Sequence, residues 1–161
     1  MRHDQGMTSQ PTSWADFERA EPEFAARVRA VFDAHRHKTI ATLRADGSPR
    51  ISGIEIEFVD GELTFGSMTG ARKGADLRRD PRFALHGASD DPPEDNPTAW
   101  GGDVKVAGRA RLAGSLDGEA DGDAFVAELG EVVRTGLNEA GTLLVIEFWR
   151  PGEPLHRVER E

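Results

Sequence analysis

The chain has 161 residues, a net charge of −9 at pH 7, 37% hydrophobic residues and no cysteine. This length predicts one domain with a single core, and the acidic balance argues against binding to nucleic acid or to an anionic membrane surface. The absence of cysteine excludes disulfides and thiolate sites. No stretch is long and apolar enough for a membrane span or a signal peptide, so we expect a cytoplasmic protein.

Residues 1–13 are polar and predict a flexible N-terminal arm in front of a single domain over 14–161. Ser13 can cap a short first helix. A second helix is predicted over 21–35, with Pro22 at its start. Its apolar residues fall on one face and predict core contact: Phe24, Val28, Val31 and Phe32.

From residue 39 onward the apolar pattern changes to the alternation of strands, with tight Asp-Gly turns at 46–47 and 60–61. Strands are predicted over 39–44, 50–59, 62–68, 82–88, 103–112, 131–137 and 142–149. Two further helices are predicted, over 75–79 and 119–129. About six antiparallel strands with flanking helices predict a mainly β fold, a closed β-barrel.

The segment 64–77 carries the clearest chemical signal. An apolar strand passes into small and hydroxyl-bearing residues, then into an Arg-Lys pair and a short helix. Ser67 and Thr69 offer hydroxyl donors, and the glycines near them let the backbone come close to a ligand. The free amides of the helix start favour an anion, which Arg72 can grip with two nitrogens and Lys73 with a point charge. The pattern fits a phosphate site, and also a solvated turn with two surface cations.

Four segments of the chain, in the same order, resemble the pyridoxamine 5′-phosphate oxidase-like superfamily of flavin-binding split β-barrels: 39–50, 70–82, 104–110 and 147–157. The resemblance implies a split β-barrel of about six antiparallel strands with flanking helices. It also implies a homodimer with the cofactor site at the subunit interface, and a small-molecule substrate. Matched residue by residue, the implied cofactor-binding residues are Arg50, Ile51, Ser52, Gly66, Ser67, Thr69, Ala71, Arg72, Lys73 and Trp149. Ala71 departs from the serine that is common in the family.

The same resemblance implies an oxidoreductase that transfers hydride through FMN. The deazaflavin coenzyme F-420 is the alternative, because its users in the superfamily carry a basic stretch followed by Leu-Arg-Arg-Asp-Pro-Arg, which is present here at 77–82. A cofactor that supplies the chemistry also fits the absence of a Ser-His-Asp or paired-carboxylate pattern. No metal site is expected, since the acidic stretch 117–128 departs from a calcium loop at its third and ninth positions.

The C-terminal region departs from the oxidase itself. In the oxidase a tryptophan helps to cover the flavin and an Arg-x-His pair binds pyridoxine phosphate, whereas here Pro154 stands in the arginine's place before His156. Asp103 stands where the oxidase prefers glutamine. These differences predict a chain that is not a true pyridoxamine-phosphate oxidase. Trp149 can also be interpreted as a packing residue on the barrel, and His156 as a surface residue.

Two other functions stay open at this point. One is a non-catalytic module that binds or stores a flavin or a haem-like ligand, which fits the lack of a recognisable acid, base or Arg-x-His pair on the substrate side. The other is a barrel without a cofactor that acts as an interaction domain.

Overall fold

The computed structural model of the protein describes residues 12–115 and 122–161. The described helices are α1 (Trp14–Ala20), α2 (Pro22–Ala34) and α3 (Arg72–Arg79), with a 3-10 turn at Pro97–Ala99. The described strands are β1 (Lys38–Leu43), β2 (Pro49–Ile54), β3 (Ile56–Val59), β4 (Glu62–Met68), β5 (Arg82–Gly87), β6 (Asp103–Ser115), β7 (Gly122–Leu137), β8 (Leu144–Trp149) and β9 (His156–Arg160). No helix in these two ranges is long and apolar enough to cross a membrane.

The two N-terminal helices form where the sequence predicts them. The Ser13 hydroxyl accepts a hydrogen bond from the Asp16 amide at 3.1 Å and so caps α1. Pro22 occupies the start of α2, where its missing N–H is not needed. The predicted face of α2 is buried in the main hydrophobic core together with the aromatic residues of α1: Trp14, Phe17, Phe24, Val28, Val31 and Phe32. The predicted core contact is confirmed.

Parts of three predictions fall outside the described residues. These parts are 1–11 of the N-terminal arm, the start of the helix predicted over 119–129 and the first part of the acidic stretch 117–128. The end of the arm is described. The Thr12 carbonyl accepts a hydrogen bond from the Leu129 amide at 2.8 Å, so residue 12 lies against β7.

The nine described strands form one antiparallel sheet, whose main path runs β2-β1-β5-β6-β7-β4-β3, with β8 pairing with β7 and β9. β2 and β3 lie at opposite ends of this path, although only Glu55 separates them along the chain. The sheet must therefore curl until its two ends meet near Glu55. No ladder joins β2 to β3 among the described strands, so the barrel is split. The split barrel with flanking helices is confirmed, and the closed barrel is wrong.

Three differences from the predicted elements have physical causes. The strand predicted over 50–59 is two strands, because the chain passes at Glu55 from one end of the sheet to the other. The helix prediction is wrong over 122–129, which belong to β7. Adjacent residues of that strand, 125–127, are all buried, so both of its faces are covered and the alternation of a strand is lost. Strand β9 was not predicted, because Val158 is its one apolar residue.

Two bulges bend the long strands β6 and β7. Their pairing skips Gly130 in β7 and Ala113 in β6. A Cβ on Gly108 would collide with the carbonyl oxygen of Glu128, so the close approach beside the first bulge requires glycine. Bulges increase the local twist and bend, which lets these strands follow the curl of the split barrel.

Candidate functional site

Strand β4 leads into α3 through a tight turn. Gly70 has a φ of 78°, a left-handed conformation that favours glycine, and the Ala71 amide donates to the Met68 carbonyl at 3.0 Å. The helix then begins at Arg72 rather than at residue 75 as predicted. Ala71 occupies the N-cap without a side-chain hydrogen bond to the helix. The first amides of α3 therefore remain available to an anion.

A buried carboxylate ties α3 to the sheet. Asp76 is 2% exposed, and its Oδ2 accepts hydrogen bonds from Thr42 Oγ1 at 2.8 Å and from Arg50 Nε at 2.7 Å. Its Oδ1 accepts a third hydrogen bond from Arg79 at 3.0 Å. Burial alone raises the pKa of Asp76, but the hydrogen bonds from Arg50, Thr42 and Arg79 hold that pKa below its ordinary value of 3.8. Asp76 is therefore an ionised structural group that joins α3 to β1 and β2.

Arg72 and Lys73 have no acidic partner among the described residues. The other arginines of α3 differ in this respect, since Arg78 and Arg79 each pair with an aspartate. Lys73 Nζ donates to the Gly53 carbonyl at 3.2 Å, and Arg72 is exposed. In a chain with a net charge of −9, two adjacent unpaired cations beside free helix amides form a local patch that attracts anions.

Three open grooves border α3. The β4 groove lies between β3, β4, β6 and β7 and holds about 620 Å³. The turn groove, of about 460 Å³, follows the turn into α3, and the arginine groove, of about 390 Å³, lies between α3 and the hairpin that joins β1 to β2. The predicted site residues are divided among them: Gly66 and Lys73 line the β4 groove, Thr69 and Ala71 line the turn groove, and Arg50 and Arg72 line the arginine groove.

The arginine groove has more positive than negative charge. Its lining includes four arginines and two aspartates: Arg44, Arg50, Arg72, Arg79, Asp46 and Asp76. Two of these arginines, Arg50 and Arg79, are bound to Asp76. The single carboxylate of Asp76 balances only one of them, so that cluster keeps one positive charge. Asp46 balances one of Arg44 and Arg72, which leaves a second positive charge in the groove. Arg44 also donates to the Pro49 carbonyl.

Ser67 lies under α3 with an unused hydroxyl. The residue is 3% exposed, and its Oγ has no hydrogen-bond partner among the described residues. The helix packs on this side chain at Gly74, where an added Cβ would lie 2.5 Å from Ser67 Oγ. A buried hydroxyl without a partner is unfavourable by about 1–3 kcal/mol. A polar atom supplied by a ligand at this position would relieve that penalty.

Four of the predicted site residues line none of the grooves: the buried Ser67, and Ile51, Ser52 and Trp149. Ile51 is 75% exposed on β2, and Ser52 follows it on the same edge strand. Trp149 is 2% exposed, and its ring centroid lies 4.8 Å from that of Phe17. Within this chain the Trp149 indole packs in the core, as the packing interpretation states, and it offers no free face to a ligand.

The C-terminal hairpin brings no free arginine to His156. The His156 ring stacks on Phe148 with centroids 4.9 Å apart. Arg150 and Arg157, the nearest arginines before and after it in sequence, each form an ion pair with a glutamate. Pro154 is exposed in the turn before β9. The guanidiniums of Arg150 and Arg157 are therefore both engaged.

Sequence reasoning missed the two residues that hold the site together, Asp76 and Thr42. The available signal was a single acidic residue inside an otherwise basic helix, since Asp76 lies among the arginines and the lysine of α3. Thr42 gave no signal, because its role depends on β1 passing beside α3 in the folded chain.

One known family matches most of this chain. The family model described as pyridoxamine 5'-phosphate oxidase matches residues 24–148. The chain belongs to this family. The matched region includes the whole of α3 and strands β1 to β8, except for the last residue of β8. Strand β9 lies outside it.

Several solved structures share the fold at low sequence identity. PhzG from Burkholderia lata, in complex with tetrahydrophenazine-1-carboxylic acid, has a TM-score of 0.64 and 13% identity, over 88% of this chain and 93% of its own. A pyridoxamine 5'-phosphate oxidase-related, FMN binding protein from Nostoc punctiforme has a TM-score of 0.60 and 10% identity, over 88% and 96%. A heme binding protein from Mycobacterium smegmatis has a TM-score of 0.55 and 17% identity, over 83% and 56%. No curated protein matches the chain.

Proposed function

We propose that the protein is an oxidoreductase that binds a flavin-type cofactor at the start of α3, in a site completed by a second copy of the chain. FMN is the first choice and F-420 the alternative. The observation that carries the proposal is the pair Arg72 and Lys73, which have no acidic partner among the described residues of an acidic protein. An FMN or F-420 phosphate is the kind of dianion or monoanion that such a pair binds.

The residues at the start of α3 fit a phosphate-bearing cofactor. The free amides after Ala71, the exposed Arg72, the half-buried Lys73 and the hydroxyl of Ser67, which has no partner among the described residues, are donors of the kind that phosphate oxygens accept. The β4 groove touches Lys73 and, at about 620 Å³, is large enough for a tricyclic ring. Membership of the family, and a fold shared with a protein described as FMN binding, also support the proposal.

The bound cofactor would supply the hydride chemistry, and this chain would supply binding and orientation. Asp76 does not serve as a general base in this proposal, because three donors already occupy its oxygens and hold it ionised. Its role is to hold Arg50 and α3 in position relative to each other. The proposed substrate class is a quinone-like or conjugated acceptor in the cytoplasm, reduced by the reduced cofactor.

Titration of the apoprotein with FMN, and separately with F-420, tests the assignment. The double variant Arg72→Ala, Lys73→Ala removes two charge-assisted contacts of about 1.5–3 kcal/mol each, so the cofactor affinity should fall at least about a hundredfold. The matched control is Arg19→Ala, Arg157→Ala, which removes the same charge from α1 and β9, where neither residue lines a groove. Equal affinities in the double variant and the control would overturn the site.

A non-catalytic module is the second candidate. It is favoured by the lack of an unengaged buried acid or base beside the grooves in the described residues, and by the fold shared with a heme binding protein. The visible spectrum of the purified protein separates the two ligand classes, since haem gives a Soret band and flavin does not. Hydride transfer to an acceptor by the loaded protein, measured in single turnover, separates catalysis from storage.

A further inference from the structure

A cavity of about 290 Å³ lies at the end of α2, and none of its lining residues lines the three grooves beside α3. One wall is the second half of α2, which presents Ala30, Val31 and Ala34. The opposite wall comes from the segment that follows β5 and from the two glycines that precede β6. Alanines and glycines on both walls leave the space open and give it apolar surface, beside the polar Ser89 and Asp90 of the second wall.

Arg134 is held in place at this cavity by its surroundings. Its guanidinium donates to the Gly101 carbonyl at 3.0 Å, and its Nη1 lies 3.4 Å from Glu147. Glycines stand on either side of it. A Cβ on Gly102 would lie 3.3 Å from Arg134 Nη2, and a Cβ on Gly136 would lie 2.9 Å from Nη1. The arginine is therefore fixed before any ligand arrives, which lowers the entropy lost on binding.

The cavity has an excess of positive charge on its inner side. Glu147 is buried and accepts from two guanidiniums, with Arg27 Nη2 at 2.6 Å and Arg134 at 3.4 Å. One carboxylate thus faces two arginines that both line the cavity. At the rim, His35 Nε2 lies 3.1 Å from Asp90, an exposed pair that solvent screens. The charge of Arg134 is screened less, because its side chain is only 16% exposed and lies beside the buried Glu147, whereas Arg27 is exposed.

We propose that this cavity is a second small-molecule site, which binds a monocarboxylate carried on a flat apolar body of one or two rings. The carboxylate is held by Arg27 and Arg134, and the apolar body lies between α2 and the glycines. The volume lies at the lower end of the range for ligand pockets, so the ligand is small. The proposal does not depend on the flavin-type cofactor, because the two sites share no lining residue.

The probe is 2-naphthoate, whose fluorescence changes on transfer to an apolar site, titrated against the full chain with saturating FMN present to occupy the grooves beside α3. The matched neutral probe is 2-naphthamide. We expect saturable binding of 2-naphthoate at least about tenfold tighter than that of the amide, since charge-assisted contacts to guanidinium hold the carboxylate.

Two variants locate the binding. Ala30→Phe fills the cavity without a change of charge, and should weaken 2-naphthoate binding at least about tenfold. Its control is Ala26→Phe, one turn earlier on α2 and outside the cavity lining; a helical side chain leans toward the N-terminus, so the new ring points away from the cavity. Arg27→Gln leaves one arginine for Glu147 and should abolish the preference for the acid over the amide. Retained thermal unfolding temperatures show that the variants fold.

Each outcome decides for or against the site. Loss of binding in Ala30→Phe but not in Ala26→Phe, together with loss of the acid preference in Arg27→Gln, supports it. Absence of saturable binding by the wild-type chain overturns it. Equal binding of acid and amide overturns the ligand class, and binding that Ala30→Phe leaves unchanged places the probe elsewhere and overturns the site.

Discussion

Asp76 ties α3 to the sheet through its hydrogen bonds. It is a buried carboxylate on the helix that carries Arg72 and Lys73, and it accepts hydrogen bonds from Thr42 on β1 and Arg50 on β2. Removal of one member of a buried charged cluster leaves the other charges buried without a partner. This lowers stability more than replacement of the whole cluster by apolar residues would. Asp76 therefore sets both the stability of the site and its geometry.

Asp76→Ala should lower the free energy of unfolding by about 3–5 kcal/mol, because Arg50 would stay half-buried without its acceptor. Urea denaturation at pH 7 measures the change. Asp76→Asn, which keeps the shape and an acceptor oxygen, should lower the free energy of unfolding by clearly less. A loss below about 1 kcal/mol in the alanine variant would contradict the role given to the cluster.

The same cluster predicts an acid-sensitive fold. The pKa of Asp76 is held below 3.8, so the folded state binds its proton less readily than the unfolded state does. The stability from this group is therefore complete above the unfolded pKa, and it is lost as the pH falls through the lower pKa of the folded state. Urea midpoints measured at falling pH below about 4 should drop more steeply for the wild type than for Asp76→Asn, which lacks the titrating group.

Pro154 predicts the absence of one reaction. In the position where the resemblance expects an arginine, proline offers no guanidinium, and Arg150 and Arg157 are each paired with a glutamate. The free energy of desolvating a substrate phosphate is unfavourable when no guanidinium pairs with it. We expect negligible formation of pyridoxal 5′-phosphate from pyridoxamine or pyridoxine 5′-phosphate by the FMN-loaded protein with oxygen present. Robust formation would mean that one of these arginines leaves its glutamate.

At the scale of elements, the contact between α3 and β4 depends on Gly74. A Cβ there would lie 2.5 Å from Ser67 Oγ and 3.0 Å from Ser67 Cβ, so alanine would push the helix away from the strand. Alanine favours a helix over glycine by about 1 kcal/mol, but overpacking a tight contact costs about 1–3 kcal/mol. The steric overlap should therefore outweigh the gain in helix propensity.

We expect Gly74→Ala to lower both the unfolding temperature and the FMN affinity. Adding Ser67→Gly, which removes the opposing atoms, should recover part of the stability. Gly53→Ala is the control, since no atom lies within 4 Å of the added Cβ and β2 is an edge strand. Its stability should stay within about 0.5 kcal/mol of the wild type. A stabilised Gly74→Ala variant would show that the helix can move without harm.

The elements also show where sequence reasoning succeeds and where it stops. For a strand with one buried face, such as β4, the sequence predicts the correct bounds. The reason is that apolar and polar residues alternate when only one face of a strand is buried. For the first part of β7 the sequence predicts a helix, since Phe125, Val126 and Leu129 have helical spacing. In the structure this strand is covered on both faces and bulges at Gly130, and each of these features removes the period of two.

The candidate site was predictable in part for a similar reason. Arg72, Lys73 and Ser67 are contiguous with the turn into α3, so a local pattern identifies them. Asp76 and Thr42 act through a contact between residues 34 positions apart, which only the folded sheet brings together. Trp149 was assigned to the cofactor by resemblance alone, and its burial against Phe17 depends on where α1 packs.

At the scale of the whole molecule, the split barrel leaves apolar side chains and strand edges uncovered. Ile51 on the edge strand β2 is 75% exposed, and Met68 beside the grooves is 66% exposed. Soluble proteins commonly protect an open edge by charge or by covering it, and large exposed apolar residues mark surfaces of association. These features support a homodimer in which a second copy covers β2 and completes the cofactor site.

Sedimentation velocity at micromolar concentration should find a dimer, and Ile51→Lys should weaken it. In a two-fold interface the substitution acts on both copies, and burial of each isoleucine contributes about 1.5–3 kcal/mol, so the dimer should weaken at least about a hundredfold. Because the site is shared, FMN affinity should fall with dissociation and recover at high protein concentration. Val158→Lys, at another exposed strand position on β9, should leave both properties unchanged. A wild-type chain that sediments as a monomer while still binding FMN would contradict the shared site and leave the grooves beside α3 to act alone.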